Sequence, residues 1–540
     1  MKPFLTLHDP GTARGYYEAG LWRGETFYGL LARHAQARPE AMALRDGRVF
    51  LDWQGLKARV DAMADNLVEE GLVAGDRLSV WMSNRVEVVI TFLACAREGI
   101  ACNPSLHRSY TCAEIVELLN ELGARALVTE PGWGADRAER DFEAMLSEVP
   151  SLGKVYTPER FPGHITQVNR VAHGNPDSVV YLAFTSGTTG RPKCVMHSSN
   201  TLLANARDLA RDWALSDQSV ILTLSPFSHH IAWVALGQWL VCGGTLVMDD
   251  PPEGMSRLDW ITETGATYVL GVPTHAMDIL AEQKRRGLER LGQVQTFYMA
   301  GAPIPEVVAK AFVDQGIAPQ NIYGMTECSS HQYTHPGDPP EVWIRTCGRG
   351  GPAYEVRIWD PEDPDRELAP GQSGEIGGRG AAMMLGYFAN QAATERTMNR
   401  HGYLLSGDLG SFDGQGNLRI EGRIKDLIIR GGHNIFPSRI EALALSHPRV
   451  EKAAAFGVPD ARLGEKVCLA VIGDVGAAEM LAHLAREGLS KFDMPEWFAA
   501  VEDLPLTASG KILKRELAQM VARGALSPEP VRYGARKQGV

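Results

Sequence analysis

The stretch Phe184-Thr-Ser-Gly-Thr-Thr-Gly-Arg-Pro-Lys193 concentrates hydroxyls and glycines and closes on a lysine. Glycines let backbone N–H groups turn toward one centre. Thr185, Ser186, Thr188 and Thr189 add hydroxyl donors, Gly187 and Gly190 supply the turns, and Lys193 brings a positive charge. Such a loop suits a polyanion better than a neutral ligand. It is not a Walker A loop, because Gly190 is followed by Arg-Pro-Lys and Lys193 by Cys194, where that motif needs Gly-Lys-Ser/Thr.

Other residue types with chemical potential lie downstream. Tyr323-Gly324-Met325-Thr326-Glu327 offers an aromatic face and a carboxylate, and Asp408 follows Ser406-Gly407. A lysine, Lys511, stands on a late glycine turn, Thr507-Ala-Ser-Gly-Lys. Cys328, His331 and His335 have a C-x2-H-x3-H spacing, but a structural zinc needs four ligands and no second cysteine pair is spaced to help. The segment is expected to line a pocket instead. His229 and His230 would point to opposite faces of an extended chain and make a poor chelate.

These residues need a scaffold. From Thr26 to about Leu127, helical patterns such as Phe27, Leu30, Leu31 and His34 alternate with short apolar runs such as Leu78 to Met82, which predicts a layered, parallel α/β sheet. Residues 131 to 176 are polar and punctuated by Pro and Gly, and read as surface connections. The apolar run Val179 to Phe184 and the run Cys194-Val-Met predict strands on either side of the hydroxyl loop. A helix follows, with Leu202, Leu203, Ala206, Leu209 and Ala210 at its spacing and Ser198 or Ser199 to cap it. Runs ending near His229, at Pro273, at Ala300-Gly301-Ala302-Pro303 and at Tyr323 read as further strands, and ligands of open α/β sheets gather at such carboxyl ends. After Asp426, strands at Lys452 to Val458 and Lys466 to Ile472 and helices around Met480 and Leu517 predict a small α+β domain.

Composition narrows the partners. A chain of 540 residues exceeds one hydrophobic core. The formal charge of −11 argues against a general nucleic-acid binder, so an anionic ligand must be met by local positive charge. Eight cysteines with no C-x2-C pair fit reduced thiols, and the amino-terminal residues lack the apolar core of a signal peptide, so a cytoplasmic location is expected. The longest apolar stretch, Trp233 to Met248, is shorter than the about 18 residues that span a bilayer. No oligomeric state is legible; a homodimer is carried as the expectation.

Thr-Ser-Gly-Thr-Thr-Gly-x-Pro-Lys resembles the signature of the adenylate-forming superfamily, which includes acyl-CoA synthetases and peptide-synthetase adenylation domains. Further motifs agree in order: Pro-x-x-His ending at His229, Tyr-Gly-x-Thr-Glu at 323 to 327, the stretch 371 to 388 ending Leu-Gly-Tyr387, Tyr-x-x-Ser-Gly-Asp at 403 to 408 with Ser406 for the usual threonine, Gly-Arg-x-Lys-Asp at 422 to 426, and Pro-x-Thr-x-x-Gly-Lys-Ile around Lys511. The resemblance implies a large N-terminal domain of layered α/β subdomains, 1–424, and a small mobile C-terminal α+β domain, 425–540. It also implies roles. The hydroxyl loop, Lys193, Gly301, Ala302, Tyr323, Gly324, Asp408 and Arg423 would bind ATP or AMP, with Tyr323 on adenine, Thr326 on the α-phosphate and Asp408 on the ribose. Glu327 would hold Mg²⁺, His229 would gate the carboxylate site, Lys425 would be the hinge, Gly431 and Gly432 would border the CoA pantetheine, and Lys511 would be the catalytic lysine. The 371 to 388 stretch reads as structural.

The implied activity is an ATP-dependent acid–CoA ligase using Mg²⁺ and a small-molecule carboxylic acid. Phe227, His230, Trp233, Ala300, Met325 and Cys328 are the candidate acyl pocket. They are mostly apolar and include no Lys or Arg for a second carboxylate, which points to a medium-sized apolar acid, alicyclic, aromatic or medium-chain. The run Gly-Arg-Pro-Lys-Cys-Val-Met-His-Ser-Ser-Asn-Thr-Leu is similar to bacterial cyclohexanecarboxylate ligases. An acyl-AMP ligase loading a carrier protein and a silent nucleotide-binding relative stand as alternatives.

Overall fold

The computed structural model describes residues 2–163, 170–185, 192–506 and 512–534. Its N-terminal part is organised by two predominantly parallel sheets. In the first, the strands run in the order Lys154–Tyr156, Ala126–Thr129, Arg77–Trp81, Ala101–Asn103, Val179–Thr185 and Lys193–Ser198. In the second the order is Ser329–Tyr333, Ala318–Met325, Thr296–Met299, Tyr268–Gly271, Val220–Thr223, Thr245–Met248, Met42–Arg45 and Phe50–Asp52. The last pair at the hydroxyl-loop edge of the first sheet, and the pairs at both ends of the second, are antiparallel. Short all-apolar strands and intervening helices give parallel sheets covered on both faces. The helices Val86–Glu98, Ser199–Asp212 and His230–Cys242 share one continuous core with strand residues of both sheets, among them Val80, Tyr181, Ile221 and Leu270. Ser198 caps its helix by accepting from Thr201 N–H.

An antiparallel four-stranded sheet follows, Tyr354–Trp359, Gly374–Gly380, Leu404–Phe412 and Leu418–Arg423. Its last two strands pair Asp408 with Arg423.

The C-terminal domain is small and α+β. A long hairpin, Val450–Asp460 with Gly464–Gly473, carries apolar residues on both faces. Ala453, Ala455, Val467 and Leu469 enter one core with the helices Pro437–Leu445 and Ala477–Arg486, while Ala454, Phe456, Cys468 and Ala470 enter a second with Leu517 of the helix Lys514–Ala522. The two-residue period of a strand produces this division.

The reading of 131 to 176 as surface connections is corrected in one place. Lys154–Tyr156 is a strand at the edge of the first sheet, and Phe142 and Val149 are buried. A three-residue strand shows no alternation; Tyr156 is fixed by tertiary contact, its hydroxyl donating to Asn66 Oδ1 at 2.9 Å.

Candidate active site

The hydroxyl loop joins two antiparallel strands in which Thr185 pairs with Lys193. Ser186, Gly187, Thr188, Thr189 and Gly190 lie outside the described residues. At the loop's base Thr185 Oγ1 donates to the Lys193 carbonyl at 3.2 Å. The Lys193 ammonium sits 4.3 Å from the centre of the Tyr387 ring and donates to its hydroxyl at 3.1 Å. That hydroxyl in turn donates to Glu327 Oε1 at 2.8 Å.

Glu327 stands on the tight turn between Ala318–Met325 and Ser329–Tyr333. The turn leaves no room at Gly324, where a Cβ would lie 1.9 Å from the Ser329 carbonyl oxygen. Ser329 itself takes a left-handed conformation with φ of 57°. From the neighbouring strand His197 Nε2 donates to the Thr326 carbonyl at 2.7 Å, which fixes the backbone next to Glu327. Burial pushes His197 down to about 4, so its ring is neutral near pH 7.

Tyr323, before this turn, reaches across to the four-stranded sheet. Its hydroxyl donates to Asp408 Oδ2 at 2.9 Å, and Arg423 Nε lies 3.1 Å from Asp408 Oδ1. Asp408 N–H donates to Ser406 Oγ at 3.1 Å, so the serine serves where a threonine was expected. Burial, with the Asp408 charge beside it, holds the Tyr323 phenol far above its ordinary pKa. Tyr323 therefore stays protonated and donates.

On the acyl side the expected extended geometry of the histidines is corrected. His229 is the N-cap and His230 the first residue of the helix His230–Cys242, because the chain turns into helix immediately after Pro226-Phe227-Ser228. The His229 ring lies 4.4 Å from that of His107. His230 Nε2 is 2.9 Å from Ser329 Oγ and Nδ1 is 3.3 Å from the Tyr181 hydroxyl, which ties this helix to the turn after Glu327. Burial, with His197 close by, pushes His230 down to about 3. Trp233 donates its indole N–H to the Phe227 carbonyl and packs against Phe92, Tyr181 and Phe227. Phe227 and Trp233 are thus buried in the main core. Ala300 is buried at the end of its strand, whereas Gly301, with φ of 89°, and Ala302 are exposed. Met325 is half-buried.

Cys328, His331 and His335 do not converge. Cys328 is buried beside Tyr354, His331 has Tyr323 edge-on to its ring and Tyr354 against it, and His335 donates to the Gly350 carbonyl. Among the described residues no group of three or more His, Cys, Asp or Glu is placed to hold a metal.

Beyond the four-stranded sheet, Lys425 is exposed in the single turn Ile424–Asp426, its pKa lowered by partial desolvation and by Arg423. Gly431 and Gly432, with φ of 58° and 84°, form the two-residue turn between Ile428–Arg430 and His433–Ile435. Two successive left-handed residues are the type I′ hairpin requirement, and glycine meets it without strain. Lys511 lies outside the described residues. Sequence reasoning named Ser329 as a pocket residue but missed the contributions of Tyr387 and His197. Tyr387 lay in a motif that was read as structural, and His197 in the run after Lys193 that carried only the subfamily resemblance.

The buried groups cluster around the ends of parallel strands, where open α/β sheets gather their ligands, and beside the strand pair that flanks the hydroxyl-rich sequence. The chain belongs to the AMP-binding enzyme family: the family's profile matches residues 31–388, and that of the AMP-binding enzyme C-terminal domain matches 439–511. It is 27% identical over 547 residues to the medium-chain fatty-acid–CoA ligase of Escherichia coli K12, covering 97% of this chain and 95% of that protein. It is 31% identical over 551 residues to a salicylyl-CoA synthase / salicylate adenylyltransferase of a Streptomyces species, covering 96% and 97%. The o-succinylbenzoate CoA synthetase of Bacillus subtilis, solved with ATP and a magnesium ion, superposes with a TM-score of 0.80 at 26% identity over 90% of this chain and 98% of that one. The protein is an AMP-forming acid–CoA ligase, with ATP and CoA among its substrates.

Proposed function

We propose that the enzyme activates a medium-sized apolar carboxylic acid as its acyl-adenylate and passes the acyl group to CoA within one site. The observation that carries this reading is the pair of polar chains, Lys193–Tyr387–Glu327 at the base of the hydroxyl-loop hairpin and Tyr323–Asp408–Arg423 on the four-stranded sheet. Lys193 and the loop meet the triphosphate. Asp408 accepts from the ribose hydroxyls, and Tyr323 presents its ring to adenine. Lys511 neutralises the charge that develops as the acid's carboxylate attacks the α-phosphate and pyrophosphate leaves. Glu327 suits Mg²⁺, since a buried carboxylate is a hard oxygen ligand able to share the ion with phosphate oxygens. When bound, the ion supplies positive charge to the departing pyrophosphate.

The boundary is placed between 424 and 425, with Lys425 absorbing the rotation that withdraws Lys511 and brings Gly431 and Gly432 toward the acyl group for attack by the CoA thiol. The apolar character of Phe227, Trp233, Ala300, Met325 and Cys328 supports an acid without a second charge, and the activities named for the relatives span fatty and aromatic acids. No described helix is long and apolar enough to cross a membrane, and all eight cysteines are free, which supports placing the enzyme in the cytoplasm.

Pyrophosphate release with ATP, Mg²⁺ and CoA across cyclohexane, benzoic and straight-chain carboxylates tests the reading. Turnover with one apolar class and formation of its acyl-CoA is expected. Turnover only with dicarboxylates or amino acids, or acyl transfer only to a carrier protein, would overturn it.

A further inference from the structure

Tyr387 belongs to no role assigned so far, yet it occupies the space between the two charged groups on the phosphate side. The segment that carries it is clamped. Leu385 N–H donates to the Met196 carbonyl and Phe388 N–H to the Cys194 carbonyl, while Met196 N–H donates to the Gly386 carbonyl, so residues 385–388 lie along the strand Lys193–Ser198 as a further ribbon. On its other side Met384 N–H donates to the Glu327 carbonyl at 2.7 Å. Tyr387 N–H is taken by Thr394 Oγ1 at 2.9 Å. Gly386, with φ of 111°, lets the chain pass close to Thr394, whose Cγ2 would be 3.3 Å from an added Cβ. The ring is 3% exposed, so the phenol has one place to point.

That place is between Lys193 and Glu327. The hydroxyl accepts from the lysine at 3.1 Å and donates to the carboxylate at 2.8 Å, and the ammonium also rests over the ring. A tyrosine can accept and donate at once, which a phenylalanine cannot. Hydrogen bonds to ionised partners are the strong ones, and a partner that orients a ligating carboxylate tunes the metal it holds. We propose that Tyr387 is a positioning residue that sets the Glu327 carboxylate for the metal–nucleotide and couples its orientation to Lys193, so that the cation holding the phosphates and the group holding the metal are registered to each other before ATP arrives. This rests on the reading of Glu327 as the metal carboxylate.

The test is calorimetric titration of the holoenzyme chain with ATP, without acid or CoA, at increasing Mg²⁺. The Tyr387→Phe variant keeps the ring and its packing and removes only the hydroxyl. Its Mg²⁺ midpoint for enhanced ATP binding is expected to rise by about 10–100-fold, the range for loss of an outer partner of a metal ligand, while ATP binding without metal stays as in the wild type. Lys193→Met in the Tyr387→Phe background then shifts that midpoint less than Lys193→Met alone, because the coupling is already lost. Glu327→Gln serves as the reference for the metal reading and is expected to abolish the Mg²⁺ enhancement. A wild-type midpoint in Tyr387→Phe alongside a lost enhancement in Glu327→Gln overturns the role of Tyr387 and leaves the metal reading standing. An unchanged enhancement in Glu327→Gln overturns both. Thermal unfolding without nucleotide accompanies each variant, and should Tyr387→Phe unfold early, Tyr387→His, which keeps a ring with a polar atom, is titrated in its place with a partial return of the midpoint expected and none overturning the proposal.

Discussion

The proposed nucleotide side and the proposed acceptor side of this enzyme are built in opposite ways. Around the nucleotide side the functional side chains are already paired and dehydrated: Glu327 is 5%, Asp408 8% and Tyr323 9% exposed. Around the Gly431–Gly432 turn the neighbours are open, with Ile429 55% and Phe492 58% exposed and His433 reaching Asp493 from the surface. Charge that develops in a reaction is stabilised best by groups oriented in advance and sheltered from water. A thiol arriving on a long flexible arm needs an unobstructed backbone instead. Substitutions should therefore damage the first region through chemistry and stability together, and the second through the acceptor step alone.

The sharpest break in that comparison is Lys511→Ala. Removing one charge-stabilising donor costs about 10²–10³ in rate, and this loss is expected in pyrophosphate release, while CoA attack on supplied acyl-adenylate survives. Equal loss of both half-reactions would remove the distinction between the two sides. Next comes Gly324→Ala. A Cβ overlapping the Ser329 carbonyl forces the acidic turn to move, and overpacking of this kind costs about 1–3 kcal/mol, read as a lower denaturant midpoint together with weaker ATP binding.

Acid should weaken the large domain. Burial pushes His107, His197 and His275 down to about 4 and His230 and His331 to about 3, all of them in the large domain. Between an unfolded pKa near 6.5 and these folded values the unfolded chain binds more protons, so stability is full above about pH 6.5 and falls as pH drops, by about 1.4 kcal/mol per unit for each such histidine. Thermal melts from pH 7 to pH 5 test this, and His331→Phe, which keeps a ring at a site without a charged partner, should flatten the slope. The smallest effect is expected from Gly432→Ala. A left-handed alanine costs about 1–2 kcal/mol, and the change should appear as a raised KM for CoA with pyrophosphate release unaltered.

The strands flanking the hydroxyl loop, the capped helix after it and the long hairpin of the small domain were legible because each has a local period or cap. Asp408 and Arg423 were legible as a family pattern, but their side-chain pairing depends on strands that meet antiparallel, and residue types do not encode register at that distance. Tyr387 escaped for the same reason: it lies 60 residues from Glu327 and 194 from Lys193, and only the folded chain brings the three together. The helix start at His230 was not legible because an extended chain was assumed where the chain turns into helix after Pro226-Phe227-Ser228. Ser329 was read as a pocket residue, but its positive φ gives no local sign, since a serine in that conformation is held there by its neighbours.

The partnership of Asp408 with Arg423 has a mechanical side. Arg423 is the last residue of a paired strand, locked by register and by its side chain, and the turn holding Lys425 begins at the very next position. If the small domain turns about Lys425 as proposed, a pivot that close to a fixed strut has almost no slack: the twist would fall on the few bonds after 423 and leave Asp408 still, much as a door swings without loosening its frame.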